Sequence, residues 1–211
     1  AFDTGTLIRW LDYNDTFTAA QGSHPSDNLG GILTAADALS RSGNSLTMLD
    51  VLEGLVKAYE IQGRIAIEND FNAMGIDHTI LSRVAVAAVV THLMGGTRDE
   101  IINAVSNAWI DANLRVYREA PNAGWRKSWA VGNAVAEEVR LARMAMVGEK
   151  GCPTVLTAKN GASTHVIATA SRLRVSECMA ITSSRIRCSS SLRRACTGNP
   201  RWNARSGCIR W

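Results

Sequence analysis

The amino-acid sequence predicts an all-α fold for residues 1–159 and a tail without a packed core for residues 160–211. Apolar residues in the first segment recur at positions i, i+3, i+4 and i+7, and two capping-box sequences precede such stripes. No part of this segment alternates convincingly between apolar and polar residues. Because 159 residues can bury a hydrophobic core, we expect a partial helical domain there.

Five helices are predicted, each from a start signal or an apolar stripe. In chain order they follow the polar run at residues 24–28, the capping box at 47–50, the stripe at 80–89, the capping box at 97–100, and the basic segment before about residue 128. The second helix has the stripe Met48, Val51, Leu52, Leu55, Val56 and Tyr59. Gly148 is the predicted stop of the last helix.

Charge divides the chain at residue 159. Residues 1–159 hold 14 Lys and Arg against 18 Asp and Glu, whereas residues 160–211 hold 9 Arg, no Lys and a single acid. The tail is therefore strongly basic, and it is also rich in serine and cysteine. Its few large apolar residues argue against a core of its own. We interpret the chain as two segments with a boundary after Lys159.

Composition also argues against several classes of protein. No run approaches the roughly 18 apolar residues of a membrane span, and no secretory signal is visible. The tail cysteines are spaced by ten, eight and twelve residues without a CxxC pair, which does not suggest a metal site. We expect no metal, no cofactor, no membrane contact and no nucleic-acid partner.

Two polar segments carry the candidate chemistry. Residues 12–31, the acidic loop, hold Asp12, His24 and Ser26 and lead into a helix N-terminus, where an anion could bind. Residues 115–128, the basic loop, hold Arg118, Arg126 and Lys127, and such cations bind carboxylates. The alternatives are an ordered surface loop with a good N-cap and a solvated basic loop. Together the loops would suit a polyanionic small molecule that gains or loses a proton.

Several long strings closely resemble the MmgE/PrpD family. They are residues 9–16, 22–30, 117–122, 126–130 and 148–159. The resemblance covers residues 1–159 nearly continuously, and family members are much longer. It implies a helical-domain fragment, no cofactor, and dehydration of 2-methylcitrate to 2-methyl-cis-aconitate in propionate catabolism. Decarboxylation of cis-aconitate, or an inactive fragment, is the alternative.

The resemblance also implies site residues. Asp12, Thr16 and His24 match pocket positions in the acidic loop, Lys127 matches a pocket lysine before a Gly-Asn-Ala string, and His78 matches a second histidine less securely. On chemical grounds we expect His24 to transfer a proton, with Asp12 orienting it or sharing the proton. We expect Ser26, Arg118 and Arg126 to bind the tricarboxylate substrate, with Lys127 also holding a carboxylate.

The resemblance has consequences beyond the site. It implies a homodimer for the full-length family, in the cytoplasm of a bacterium or the mitochondrial matrix of a eukaryote. Further pocket groups come from family segments that have no counterpart in this sequence. We therefore expect the 211-residue chain to be a weak or inactive dehydratase.

The tail departs from the family at Asn160. Where the family continues with a W-G-F-Y string, this chain has Asn-Gly-Ala-Ser-Thr, and a reading-frame slip within an AAT codon for Asn160 can relate the two. We hypothesise that residues 160–211 are translated out of frame and pack little against the helices. The alternative is a basic nucleic-acid-binding tail, for which Trp202 and Trp211 are the only aromatic residues.

Overall fold

The computed structural model describes residues 1–158 and 186–187. Its helices are α1 (Phe2–Trp10), α2 (Leu29–Arg41), α3 (Met48–Glu68), α4 (Thr79–Leu93), α5 (Arg98–Ile110) and α6 (Arg126–Met146). Two short 3₁₀ helices span Pro25–Asn28 and Arg115–Arg118. Strand β1 (Thr16–Phe17) pairs antiparallel with β2 (Ile186–Arg187). Apart from this pairing of residues 186–187, the predicted packing of the tail lies outside the described residues.

The predicted all-α class and the predicted helix starts are confirmed. Thr47 and Thr97 each accept a hydrogen bond from a backbone N–H three residues on, and the Asp50 and Glu100 carboxylates accept one from the cap in return. These reciprocal bonds satisfy N–H groups that a helix end would otherwise leave unpaired. At the other end of the last helix, Gly148 has a φ of +95°, which glycine adopts without strain.

Helix α4 lies at the centre of the bundle. Nearly all of its side chains are buried, and it contacts α2, α3, α5 and α6. This burial follows from its sequence, which is apolar around the whole circumference rather than along one stripe. The main apolar core contains Ile32, Val51, Val86, Val89, Val90, Val131 and Val135. The central helix also contacts the 3₁₀ helix Pro25–Asn28 of the acidic loop.

The predicted apolar stripe of α3 is partly wrong. Met48, Leu52 and Val56 are 63%, 54% and 43% exposed. The buried face comprises Val51, Gly54, Ala58, Gln62, Gly63, Ile65 and Ala66. Small residues on this face allow close packing, since a Cβ at Gly54 would already lie 3.2 Å from the Val89 side chain. Which face of α3 is buried therefore depends on how closely the helix can approach its neighbours, and not on side-chain hydrophobicity alone.

Three glycines bring α1, α2 and α6 into backbone contact. A Cβ on Gly30 would lie 2.7 Å from Cα of Gly5, and a Cβ on Gly5 would lie 2.9 Å from Cα of Gly132. Side chains larger than hydrogen would force these helices apart. The close contact fixes the end of α1, from which the acidic loop begins.

Within the described residues, no helix combines the length and the apolar character that a membrane crossing requires.

Candidate active site

The acidic loop folds into the protein rather than over its surface. Its polar side chains Asp15, Gln21, Ser23, Asp27 and Asn28 are buried. They are held by bonds such as those from Asn28 Nδ2 to the Pro25 carbonyl and to Gln62 Oε1. The alternative of an ordered surface loop is therefore wrong. The good N-cap of that alternative is also absent, since neither His24 nor Asn28 makes a side-chain capping bond at the helices that they precede.

Asp15 organises the loop around His24. One carboxylate oxygen accepts from the Ser26 backbone N–H at 3.0 Å, and the other accepts from the Tyr59 hydroxyl of α3 at 2.8 Å. The Asp15 carbonyl oxygen lies 2.6 Å from Nδ1 of His24. Asp15 thereby holds the His24 ring with its carbonyl and the backbone two residues beyond His24 with its carboxylate.

Asp12 joins the acidic loop to the basic loop. Its carboxylate pairs with Arg9 at 2.9 Å and with Lys127 at 3.1 Å, although 115 residues separate Asp12 from Lys127. Burial would raise the pKa of Asp12, but Arg9 and Lys127 outweigh it and hold the pKa below its ordinary value. Asp12 also adopts a left-handed φ of 56°, which is uncommon for a residue other than glycine. Asp12 orients Lys127 through its hydrogen bond. The group that hydrogen-bonds to the His24 ring is the Asp15 carbonyl, rather than Asp12 as expected.

Asp27 lies next to Arg9 and is fully buried. It accepts from Asn14 at 3.0 Å, and Arg9 approaches the same oxygen at 3.5 Å. Burial raises the pKa of Asp27 to about 7, because the favourable charge of Arg9 only partly offsets desolvation. Arg9 is therefore shared between a buried carboxyl and the Asp12 carboxylate at the rim.

His24 and His78 face each other, with ring centroids 5.4 Å apart and ring planes at 70°. Burial lowers the pKa of His24 below its ordinary value, and Arg9 adds to this effect. Burial likewise lowers the pKa of His78 to about 3, although neighbouring Asp77 opposes the shift. Both imidazoles are thus neutral at pH 7, but a pKa of about 3 makes His78 a weak base, so His24 is the candidate proton acceptor.

Arg118 is fixed by Asp77. Two guanidinium nitrogens donate to the Asp77 carboxylate, and one of them also donates to the Tyr117 hydroxyl at 3.2 Å. Burial would raise the pKa of Asp77, but His78 and Arg118 prevail and hold it at about 2. Burial and the charge of Asp77 raise the pKa of Tyr117 to about 12. This cluster ties the basic loop to the turn before α4.

Arg126 and Lys127 begin α6 at the exposed rim of the site. The Arg126 guanidinium carbon lies 4.5 Å from the Trp129 ring centroid and 5.3 Å from that of Tyr117. Stacking on aromatic faces holds the cation without neutralising it. No ion pair joins Arg126 to a carboxylate of the described residues. The Arg126 guanidinium could therefore bind an anionic ligand, and the half-exposed Lys127 ammonium could do so while it stays paired with Asp12.

The structure brings Asp12, His24, His78 and Lys127 into one region. Ser26 lies beside them, but its hydroxyl accepts from Asn14, and Arg118 is committed to Asp77. Thr16 is exposed on β1, and no described hydrogen bond joins its hydroxyl to the other candidates. The residues that sequence reasoning missed are Arg9, Asp15, Tyr59 and Asp77. Only the i, i+3 spacing of Arg9 and Asp12 was a signal.

His78 provides a pH test of this arrangement. The folded-state pKa of His78, about 3, lies below the unfolded value of 6.5. Its contribution to the free energy of unfolding is therefore complete above pH 6.5 and is lost as the pH falls. We expect His78 to account for a loss of about 1.5 kcal/mol between pH 6.5 and pH 5. In urea unfolding, His78→Gln should remove that loss. The exposed His92→Gln should retain most of it, and an unchanged slope in His78→Gln would contradict the assignment.

This chain is similar to known proteins over the residues that form the candidate site. The MmgE/PrpD N-terminal domain matches residues 1–175. The match extends past residue 159, and the domain boundary placed there stays a prediction. The 2-methylcitrate dehydratase of Salmonella typhimurium (strain LT2) is 59% identical over 165 residues, which are 75% of this chain and 34% of that protein. The 2-methylcitrate dehydratase of Cupriavidus necator is 58% identical, with the same coverage.

A eukaryotic relative is also similar. The mitochondrial 2-methylcitrate dehydratase of Yarrowia lipolytica is 51% identical over 166 residues, which are 75% of this chain and 32% of that protein. The chain thus spans about a third of the length of these relatives. With a domain match over most of its length, this chain belongs to the MmgE/PrpD family.

Proposed function

We propose that this chain carries part of the active site of a hydro-lyase that converts 2-methylcitrate to 2-methyl-cis-aconitate. The observation that carries the proposal is the Asp12–Lys127 ion pair beside two neutral, facing histidines. A neutral imidazole can remove a proton, and nearby cations can stabilise a carboxylate and the charge that develops on it. The relatives named 2-methylcitrate dehydratase support this substrate over cis-aconitate decarboxylation.

The proposed reaction assigns one task to each group. His24 Nε2 removes the proton from the carbon α to a carboxylate, and the electron pair of that C–H bond forms the carbon–carbon double bond. The C–O bond on the next carbon breaks, and the Lys127 ammonium protonates the departing hydroxyl, which leaves as water. Asp12 orients Lys127, and Arg126 holds a second carboxylate. His78 packs against the His24 ring and, because it is neutral, adds no positive charge beside it.

The cellular setting and assembly belong to the same proposal. Relatives from bacteria and a relative named mitochondrial point to the cytoplasm of a bacterium or the mitochondrial matrix of a eukaryote. We propose that the full-length protein acts as a homodimer on a small tricarboxylate.

Lys127 gives the binding test of this function. Hydrogen bonds to charged groups contribute about 1.5–3 kcal/mol, so Lys127→Met should weaken 2-methylcitrate binding about tenfold or more. Isothermal titration calorimetry on the 211-residue chain measures the change. Lys150→Met, at another exposed lysine, is the matched control and should bind as the parent chain does. Equal affinities for the Lys127 and Lys150 variants would count against the proposed site.

A further inference from the structure

We propose that Asp15 and Tyr59 are positioning residues that hold His24 in its Nδ1–H tautomer and so keep Nε2 open for proton transfer. The inference rests on the proposed function, in which His24 is the base. It adds two residues that do not themselves meet the substrate, one of them on a helix outside both loops. Their role is to decide which nitrogen of His24 carries the proton.

The tautomer follows from the partner of Nδ1. The Asp15 backbone carbonyl lies 2.6 Å from this nitrogen, and a carbonyl oxygen can only accept a hydrogen bond. Nδ1 must therefore carry the hydrogen. Because neutral imidazole has one N–H, Nε2 keeps its lone pair, as a base requires. The bond that selects the tautomer thus comes from the backbone rather than from a carboxylate.

Asp15 is itself fixed at several points. Its side chain is buried, and its two carboxylate oxygens accept separate hydrogen bonds, from Ser26 N–H at 3.0 Å and from Tyr59 Oη at 2.8 Å. Ser26 lies only two residues beyond His24. The Asp15 residue therefore holds the backbone beside His24 with its side chain and the His24 ring with its carbonyl.

Tyr59 connects this clamp to the bundle. It lies on α3, 44 residues from Asp15, and its hydroxyl is the group that binds the Asp15 carboxylate from outside the acidic loop. Without the Tyr59 bond, the described partner of the Asp15 carboxylate would be Ser26 of the same loop, and the Asp15 carbonyl could then rotate away from the ring. With Tyr59 in place, the direction of that carbonyl is set by a 21-residue helix. Second-layer hydrogen bonds of this kind select histidine tautomers in proteins.

The test reads the tautomer directly. In the ¹⁵N-histidine-labelled 211-residue chain, two-bond ¹H–¹⁵N correlations above the His24 pKa distinguish the Nδ1–H form from the Nε2–H form. His24→Gln assigns the signals. We expect the parent chain to show the Nδ1–H form, and Tyr59→Phe to lower the ratio of Nδ1–H to Nε2–H about fivefold, as expected for the loss of one hydrogen bond.

A second tyrosine provides the matched control. Tyr13 lies in the same loop and is 83% exposed, so Tyr13→Phe also removes one hydroxyl and should leave the ratio unchanged. An Nε2–H tautomer in the parent chain would overturn the inference. So would a Tyr59→Phe variant that melts at a lower temperature but keeps the parent ratio, because that result indicates a purely structural role. The spectrum needs no turnover, so its failure is distinct from a failure of the proposed dehydration.

Discussion

Replacing Arg83 with methionine is expected to destabilise the protein by about 3 kcal/mol at pH 9. Arg83 on α4 donates to Glu138 on α6 at 2.8 Å, and both residues are buried. Removing one partner of a buried ion pair leaves an uncompensated charge and costs about 3–5 kcal/mol. Urea unfolding at fixed pH measures the change.

The loss should depend on pH. Burial raises the pKa of Glu138 to about 8 even though Arg83 opposes the shift. A carboxyl with a raised folded-state pKa stabilises the protein below its unfolded value, and that stability is lost as the pH rises through the folded value. Without Arg83 the pKa rises further, so the deficit grows as the pH passes 8 and is larger by about 1.4 kcal/mol at pH 9 than at pH 6. The double variant Arg83→Met/Glu138→Leu should recover most of the loss, and a double variant as unstable as the single one would contradict this explanation.

Replacing Gly132 with alanine is expected to cost about 2 kcal/mol or more. The new Cβ would lie 2.5 Å from the Phe2 carbonyl oxygen and 2.9 Å from the Thr6 backbone nitrogen. Alanine would otherwise favour the helix by about 1 kcal/mol over glycine. Backbone atoms of α1 cannot turn aside as a side chain can, so overpacking outweighs the gain in propensity.

Thermal unfolding and site geometry both report on Gly132→Ala. Moving α1 would displace Arg9, and with it the Asp12–Lys127 pair, so weaker binding of 2-methylcitrate should accompany the lower Tm. Gly22→Ala is the control, because a Cβ there meets no atom within 4 Å. A Gly132→Ala variant as stable as Gly22→Ala would show that the α1–α6 contact is looser than the structure indicates.

Helix starts were predictable from sequence because their causes are local. Thr47 and Thr97 bond within their own first turns, so the pattern of three-residue spacing is sufficient. The buried face of α3 was not predictable in this way. Its glycines and alanines contribute little hydrophobicity, yet they decide how closely α3 approaches its neighbours. The stripe of large apolar residues therefore predicted the buried face only in part, since Val51 is buried whereas Met48 and Leu52 are exposed.

The candidate site was likewise predictable from the sequence only in part. The two loops stand out in the sequence because they concentrate polar residues between apolar helices. Burial of Asp15 and Asp27, and the use of Arg118 to neutralise Asp77, depend on contacts between distant segments. The proximity of Asp12 and Lys127 came from the resemblance rather than from spacing, since no local rule links residues 115 positions apart.

Turnover by the purified chain tests whether His24 is the base of the proposed dehydration. The purified 211-residue chain is supplied with 2-methylcitrate, and the absorbance of the conjugated tricarboxylate product is followed. We predict product formation slower than about 1 per second, the lower end of ordinary enzymes, which His24→Gln abolishes and which His92→Gln, on the exposed surface of α4, retains. Product formed by His24→Gln at the parent rate would contradict the account, because the proposed base would then take no part in the reaction.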